Sequence, residues 1–301
     1  MSDPTQSNAP PSAESLLVLV SGIGGQQGGH VARHLLQRGH RVRGLSRTPE
    51  GPKHQEIRSK GVEIVPGSFD DPASIVRAAK GVDAMFLMGT PFAQGADAES
   101  RQGVAAVDAA KSAGVPWLVY SSVGDADRQT GIPHFESKFA VEQHLERSGV
   151  PHVISAPTSF MENFVSPLQL PTLRQGKISA AISPDRRIQM VALDDLGRFV
   201  THLLENPARY GGKRFNVASD AVSEAEVARI LGEASGRKID YQPIPLEGLR
   251  TQNADLAKMF EWFERAGYTA DIDGLRREFP HVGWQRFREW AGRLDWPRLL
   301  A

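Results

Sequence analysis

The segment Gly22-Ile23-Gly24-Gly25-Gln26-Gln27-Gly28 decides the fold class of this chain. Residues 16–20, just before it, form a continuous apolar run that is typical of a strand buried in a parallel sheet. Residues 31–39, just after it, carry apolar side chains at helical spacing and end at a glycine. A second strand is predicted at 41–45. Strand, glycine loop, helix and strand in this order indicate a βαβ unit.

The alternation of strands and helices continues as far as residue 156. Further strands are predicted at 62–65, 84–88, 117–121 and 152–156, and helices at 72–79, 99–113 and 137–148. Asp71 is the predicted N-cap of the first of these helices. This pattern predicts an α/β fold, a Rossmann-type doubly wound parallel sheet with helices on both faces.

The glycine loop is suited to hold the pyrophosphate of a dinucleotide. Gly22 allows a tight turn, Gly25 lets the backbone approach the phosphates, and Gly28 lets the helix pack closely on the sheet. The helix start then directs free N–H groups at the anion. Gly24, Gln26 and Gln27 complete the predicted cofactor loop. The alternative is a glycine-rich turn without a ligand, but the flanking strands and helix favour the binding site.

The end of the second strand bears on the choice of cofactor. An NAD-binding protein usually has an acidic residue there that binds the ribose 2′-hydroxyl, and residues 44–49 contain none. Arg47 offers a planar cation to a 2′-phosphate instead. The sequence therefore predicts NADP(H), although a solvated loop arginine is the other interpretation.

Composition excludes several classes of protein. The 301 residues include 35 basic and 35 acidic side chains, so no broad basic surface for nucleic acid is expected. The absence of cysteine excludes disulfides, thiolate metal sites and cysteine nucleophiles, and no other metal site is predicted. Without a membrane-spanning run or a secretory signal, we expect a cytoplasmic protein with no membrane partner.

Several segments resemble the NmrA-like branch of the atypical short-chain dehydrogenases/reductases. Together they span residues 16 to about 200. They are the glycine loop, Ser46-Arg47-Thr48-Pro49, residues 81–87, Pro157-Thr158-Ser159-Phe160-Met161-Glu162-Asn163-Phe164, and Leu193-Asp194-Asp195-Leu196-Gly197.

The resemblance implies a Rossmann domain followed by a small lobe, with the active cleft between them. Residues 1–14 are polar and rich in Ser and Pro and are predicted to be disordered. The division of the rest is 15–156, the NADP-binding domain, and 157–301, a smaller C-terminal α/β substrate lobe from which some segments return to the sheet. Within this lobe, strands are predicted at 190–193 and 214–217 and helices at 195–204 and 223–235. We expect Asp195 to be an N-cap, Ser223 and Glu226 to form a capping box, and the aromatic residues of the tail to be mostly core.

The resemblance also implies cofactor contacts beyond the loop. They come from the ends of later strands and from residues beside the nicotinamide: Arg47, Phe69, Met88, Gly89, Thr90, Lys138, Pro157 and Phe160. The chain departs from the family pattern at Ser68, where relatives often carry an aspartate near the adenine.

The expected catalytic residues follow the same resemblance. Lys138 lies at the position of the superfamily's lysine, Ser122 at that of its serine, and His134 where a tyrosine is usual. One interpretation is a reductase of quinones, enones or similar conjugated acceptors, with His134 or a water as the proton source. The other is a non-catalytic sensor of NADP(H) that binds a protein partner. A small aromatic or conjugated substrate and a homodimer are compatible with the first interpretation.

Overall fold

In the computed structural model of the protein, residues 15–91 and 94–301 are described. The predicted disordered segment 1–14 lies outside them. The strands are β1 (Leu17–Val20), β2 (Arg41–Ser46), β3 (Val62–Pro66), β4 (Ala84–Met88), β5 (Leu118–Ser121), β6 (His152–Pro157), β7 (Ser159–Phe160), β8 (Lys177–Ala180), β9 (Arg187–Val191), β10 (Arg214–Val217), β11 (Asp220–Ser223) and β12 (Asp240–Pro243).

Helices connect these strands and form most of the C-terminal region. They are α1 (Gln26–Gln37), α2 (Pro52–Ser59), α3 (Pro72–Ala79), α4 (Ala96–Ser112), α5 (Pro133–Ser148), α6 (Leu170–Arg174), α7 (Leu193–Glu205), α8 (Pro207–Tyr210), α9 (Glu224–Ser235), α10 (Leu246–Gln252), α11 (Ala254–Arg265), α12 (Ile272–Glu278), α13 (Phe287–Ala291) and α14 (Trp296–Leu299). Short 3-10 helices lie at Ala126–Arg128, Met161–Val165 and Pro280–Val282.

The central sheet has seven strands in the order β10-β6-β5-β4-β1-β2-β3, and all neighbouring strands are parallel. The strand order reverses between β1 and β4. The two strands lead into loops that diverge there, which opens a crevice at their carboxyl ends. The predicted Rossmann-type fold is confirmed, and the glycine loop opens onto this crevice.

Both faces of β1 are covered, which explains its uninterrupted apolar sequence. Val18 and Val20 pack in one core with side chains of α1 and α7, including Leu35. Leu17 and Leu19 pack in a second core with side chains of α3, α4 and α5. Because successive strand residues point to opposite faces, four apolar residues in a row need helices on both sides of the sheet.

The C-terminal half contributes β10 to the central sheet and builds two small sheets of its own. These have the orders β11-β9-β7 and β12-β8. The aromatic tail was expected to supply core residues, and its members are mostly buried in a third core: Trp262, Phe263, Phe287 and Trp290. Among the described residues there is no helix with both the length and the apolar character that crossing a bilayer requires.

Two predicted helix caps are confirmed and a third is wrong. The Asp71 carboxylate accepts a hydrogen bond from Ser74 N at the start of α3, and Ser223 and Glu226 form the capping box of α9. Asp195 is not an N-cap, because α7 begins after Ala192. Its carboxylate is fully buried and accepts hydrogen bonds from Gln285 N at 2.7 Å and Ser219 Oγ at 2.8 Å.

Candidate functional site

The glycine loop forms a tight turn between β1 and α1. Gly22 has a φ of +63°, a conformation that favours glycine, and its carbonyl accepts a hydrogen bond from Gly25 N at 2.8 Å. A Cβ at Gly28 would lie 2.4 Å from the same carbonyl oxygen. Only glycine at residue 28 therefore lets α1 start so close to the strand.

The start of α1 leaves its backbone N–H groups available to an anion. Gly25 is the N-cap, no side chain caps the helix, and the first turn contains no acidic residue. The Gln27 side chain is engaged elsewhere, since its Oε1 accepts a hydrogen bond from Ser121 Oγ at 2.7 Å. Gln26 follows Gly25 at the mouth of the loop. This arrangement fits a pyrophosphate group.

A cleft of about 500 Å³ extends from the loop across the ends of β2, β3 and β4. It brings together half of the residues predicted to bind the cofactor, namely Gly22, Gly24, Gly25, Arg47, Phe69, Met88 and Thr90. Ser46 and Thr48, which could add hydroxyl donors beside Arg47, also line it, whereas His54, Asp70, Gln94 and Gln102 were not predicted. The cleft is therefore lined by loops that are far apart in the sequence. These loops meet where the strand order of the central sheet reverses.

One end of the cleft is suited to a negatively charged group. Arg47 is exposed and forms no ion pair with any described residue. His54 lies beside it, and its Nδ1 is buried without a hydrogen-bond partner among the described residues. The His54 Nε2 would lie 3.5 Å from a Cβ at Gly24. An unpaired guanidinium and an unpaired imidazole nitrogen next to the loop fit a phosphate.

The cleft also carries a carboxylate. Asp70 accepts hydrogen bonds from Gln102 Nε2 at 2.7 Å and from Gln94 Nε2 at 3.3 Å. Ser68 also lines the cleft, at the position where relatives often have an aspartate. A carboxylate is thus present two residues beyond the expected position.

Lys138 lies on α5 and is held beneath the loop that follows β4. Its Nζ lies 2.6 Å from Glu99 Oε1 and 3.4 Å from the Gly89 carbonyl oxygen. The Glu99 side chain is almost completely buried, and its second oxygen accepts a hydrogen bond from Ser137 Oγ at 2.6 Å. Glu99 was not predicted as a site residue. Nothing in its local sequence marks it, and Lys138 is 39 residues away.

His134 lies in the first turn of α5, one helical turn before Lys138. Its Nδ1 lies 2.6 Å from Oδ1 of Asp255, which belongs to α11 in the C-terminal region. Its Nε2 has no hydrogen-bond partner among the residues that the structure describes. Sequence reasoning missed Asp255, because 121 residues separate the two groups.

Ser122 lies in a different network from Lys138 and His134. Its buried hydroxyl donates a hydrogen bond to Glu142, and Arg214 Nε donates another to the same carboxylate at 2.8 Å. Burial raises the pKa of Glu142 above its usual value, although Arg214 opposes this effect. The structure thus does not bring Ser122 into contact with the two other predicted catalytic residues.

The segment that begins at Pro157 joins the two halves of the chain. The Pro157 carbonyl accepts a hydrogen bond from Gly124 N at 2.9 Å, and Phe160 is paired with Val191 in the small sheet. The buried Glu162 carboxylate accepts hydrogen bonds from Leu193 N and Trp290 Nε1, each at 3.1 Å. Burial raises the pKa of Glu162 to about 7. Glu162 thus connects α7 to α13.

Comparisons with known proteins agree with this architecture. A reductase of (4-alkanoyl-5-oxo-2,5-dihydrofuran-3-yl)methyl phosphate from Streptomyces griseus is 30% identical over 288 residues, which cover 91% of this chain and 96% of that protein. The NADPH-dependent quinone oxidoreductase of Escherichia coli, solved with NADPH, matches with a TM-score of 0.76 at 20% identity over 92% of this chain and 98% of its own.

The transcriptional regulator NmrA also shares the fold. It matches with a TM-score of 0.79 at 21% identity, over 95% of this chain and 97% of its own. A sequence model of the NmrA-like family matches residues 14–291, nearly the whole chain. The resemblance inferred from the glycine loop and the other quoted segments is confirmed, and the chain belongs to the NmrA-like family.

Proposed function

We propose that this protein is an NADPH-dependent oxidoreductase that reduces a quinone, an enone or a similar conjugated acceptor by hydride transfer. The observation that carries the proposal is the position of Lys138. Its ammonium group is fixed by Glu99 and by the Gly89 carbonyl at the carboxyl end of β4. His134 lies one helical turn away on the same helix. An ammonium group and an imidazole thus lie one helical turn apart beside the loops that would hold the cofactor, which supports the proposal.

The residues of the cleft fit NADP(H). The start of α1 would bind the pyrophosphate, and Arg47 with His54 would bind the 2′-phosphate. Phe69, Met88 and Thr90 would border the adenosine half, and Lys138 would bind the nicotinamide ribose. Pro157 and Phe160 would border the nicotinamide. When bound, the cofactor supplies the hydride. The protein must therefore bind the cofactor and the acceptor, orient them, and supply a proton.

The proton would come from His134 or from a water next to it. A conjugated acceptor places the electron pair of its broken π bond on an oxygen, which then takes up the proton. The demand on the donor is lower than for an isolated carbonyl, because the developing charge is delocalised. A histidine can serve in place of tyrosine, since its ordinary pKa lies near neutrality.

The family relatives support this acceptor class. The substrate name of the Streptomyces griseus reductase describes a ring double bond conjugated with a ring carbonyl and an alkanoyl group. The Escherichia coli neighbour is named for quinones. Both acceptors share a carbon–carbon double bond that is polarised by a carbonyl.

The test is NADPH oxidation by the purified protein against a panel of quinones and enones, with a 4-alkanoyl butenolide included and a simple ketone as control. We expect turnover on at least one conjugated acceptor. Lys138→Ala and His134→Ala should each lower kcat/KM by roughly 100-fold or more, the usual range for loss of a positioned proton-transfer group.

The same experiment addresses the alternative function. Absence of turnover on every acceptor, with tight NADPH binding measured by fluorescence, would exclude the reductase. It would favour a non-catalytic NADP(H) sensor that binds a protein partner.

A further inference from the structure

The contact between His134 and Asp255 connects α5 to α11 and so links the two halves of the chain. Nδ1 of the histidine lies 2.6 Å from Oδ1 of the aspartate. The His134 side chain is 15% exposed and that of Asp255 is 32% exposed, so the contact is partly shielded from water. Shielding makes such a charge-assisted hydrogen bond stronger than one at a fully exposed surface.

Packing determines where Asp255 lies. Asn253 caps α11 by accepting a hydrogen bond from Leu256 N at 3.0 Å, which fixes the first turn in which Asp255 lies. Further along α11, Trp262 packs edge to face on Phe135 with ring centroids 5.6 Å apart. Phe135 is the residue after His134. The helix that carries the carboxylate is therefore anchored directly beside the imidazole.

The geometry determines which ring nitrogen carries a proton. The Asp255 carboxylate can only accept, so the hydrogen bond requires a proton on Nδ1. Nε2 then remains for another group, and it has no partner among the residues that the structure describes. The neighbouring cation, Lys138, is already paired with Glu99. Asp255 is thus the carboxylate that offsets the charge of a protonated His134.

We infer that Asp255 is a positioning residue that fixes the tautomer and orientation of His134, so that Nε2 donates the proton to the reduced acceptor. This inference rests on the proposed function. A carboxylate that holds the distal nitrogen of a histidine is a recurring way to orient an imidazole for proton transfer.

The acceptor takes up one hydride and one proton in the proposed step. The hydride from NADPH forms a C–H bond on the acceptor, and the electron pair of the broken π bond moves to the acceptor oxygen. The Nε2–H bond breaks and an O–H bond forms. The imidazole is left neutral, with its remaining proton on Nδ1 toward Asp255, and Nε2 takes a new proton from water. Each turnover consumes one NADPH and one proton and releases NADP⁺ and the two-electron-reduced acceptor.

The decisive variant is Asp255→Asn, which keeps the size of the side chain and can donate an amide N–H to Nδ1. We expect kcat to fall roughly 10- to 100-fold, while the KM for the acceptor and the Kd for NADPH stay within about twofold. Imidazole ¹⁵N NMR of the full chain at a pH where His134 is neutral should show the Nδ1–H tautomer in the wild type. In Asp255→Asn it should show the Nε2–H tautomer. Asp255→Glu should restore part of kcat.

Thr269→Val is the matched control. Thr269 Oγ1 donates a hydrogen bond to Asp125 Oδ1 at 2.6 Å, another contact between the C-terminal region and the N-terminal half, in the loop after β5, that does not touch His134. We expect this variant to keep the wild-type kcat and tautomer. An equal loss of kcat in both variants would overturn the inference. It would show that Asp255 only helps to hold the C-terminal region in place.

The remaining outcomes separate this inference from the proposed function. Turnover by Asp255→Asn at the wild-type rate, or an unchanged tautomer, would overturn the role of Asp255 and leave the reductase intact. Absence of turnover by the wild type would overturn both.

Discussion

Lys138 Nζ and Glu99 Oε1 lie 2.6 Å apart, and 12% of the Lys138 side chain and 1% of that of Glu99 are exposed. A carboxylate buried to this degree is stable in its charged form only while its partners remain. Among the described residues, Lys138→Ala leaves Glu99 with Ser137 as its remaining side-chain partner. We therefore expect the free energy of unfolding to fall by roughly 3 kcal/mol, as measured by urea denaturation.

The double variant Glu99→Gln/Lys138→Met is the control for this prediction. It removes both charges, and the glutamine can still accept from Ser137. We expect it to recover most of the lost stability. A double variant that is as unstable as Lys138→Ala would show that the buried charge is not the cause. The comparison also shows how much of any activity loss in Lys138→Ala reflects unfolding.

Gly28 and Gly29 are adjacent glycines with opposite expected responses to alanine. A Cβ at Gly28 would lie 2.4 Å from the Gly22 carbonyl oxygen, whereas a Cβ at Gly29 would meet its nearest atom at 3.7 Å. We expect Gly28→Ala to lower the free energy of unfolding by roughly 1–3 kcal/mol and to weaken NADPH binding strongly, because the loop must move. Gly29→Ala should stabilise α1 by about 0.5–1 kcal/mol. Equal Kd values for NADPH in the two variants, measured by titration, would contradict this account of the loop.

Arg47 should determine the preference for the 2′-phosphate. We expect Arg47→Ala to raise the Kd for NADPH roughly 10- to 100-fold, the range of a charge-assisted hydrogen bond, and to change the Kd for NADH far less. Isothermal titration with both dinucleotides measures the ratio. Arg41→Ala is the matched control, since Arg41 is exposed at the opposite end of β2. An equal loss of affinity for NADPH and NADH would refute the role of Arg47.

Glu224 should make stability depend on pH. Burial raises its pKa to about 7, from an ordinary value of 4.5. The unfolded chain therefore loses this proton at a lower pH than the folded protein does. The contribution of Glu224 to folding is full below pH 4.5 and falls as the pH rises to about 7. We expect Glu224→Gln to be more stable than the wild type by roughly 1–3 kcal/mol above pH 7, with no such gain near pH 4.5.

Glu233→Gln is the control on the same helix. Glu233 forms ion pairs with Arg229 and Arg288, which lower the pKa of its carboxyl. Its replacement should therefore bring no gain in stability as the pH rises. Denaturant unfolding of the three proteins across this pH range measures the differences. If the free energies of unfolding of the wild type and Glu224→Gln change with pH in parallel, burial does not raise the pKa of Glu224.

Local sequence pattern was sufficient for the first βαβ unit. The five consecutive apolar residues at 16–20 predict a strand buried on both faces, and the structure places β1 at Leu17–Val20. The cap at Asp71 could be predicted for a similar reason, since a capping side chain bonds a backbone group three residues away. Features that depend on contiguous residues are visible in the sequence.

Features that depend on long-range contacts were missed. Helix α2 has no buried residue, so it shows no apolar periodicity to detect. Strands β8 and β12 pair across a separation that no local pattern reveals. The partners of the two predicted catalytic residues, Glu99 and Asp255, come from other helices. Asp195 precedes an apolar run as a cap would, but tertiary packing buries it.

The strand β10 pairs with β6 at the edge of the central sheet, although it lies beyond residue 210. A gene fragment that ended at residue 156 would leave β6 with an unpaired edge, which invites pairing with other copies of the chain. Residues up to 156 therefore do not form a complete central sheet without β10. Exchange of residues 157–301 for the matching segment of a relative would also replace β10, so the new segment would have to fit the exposed edge of β6.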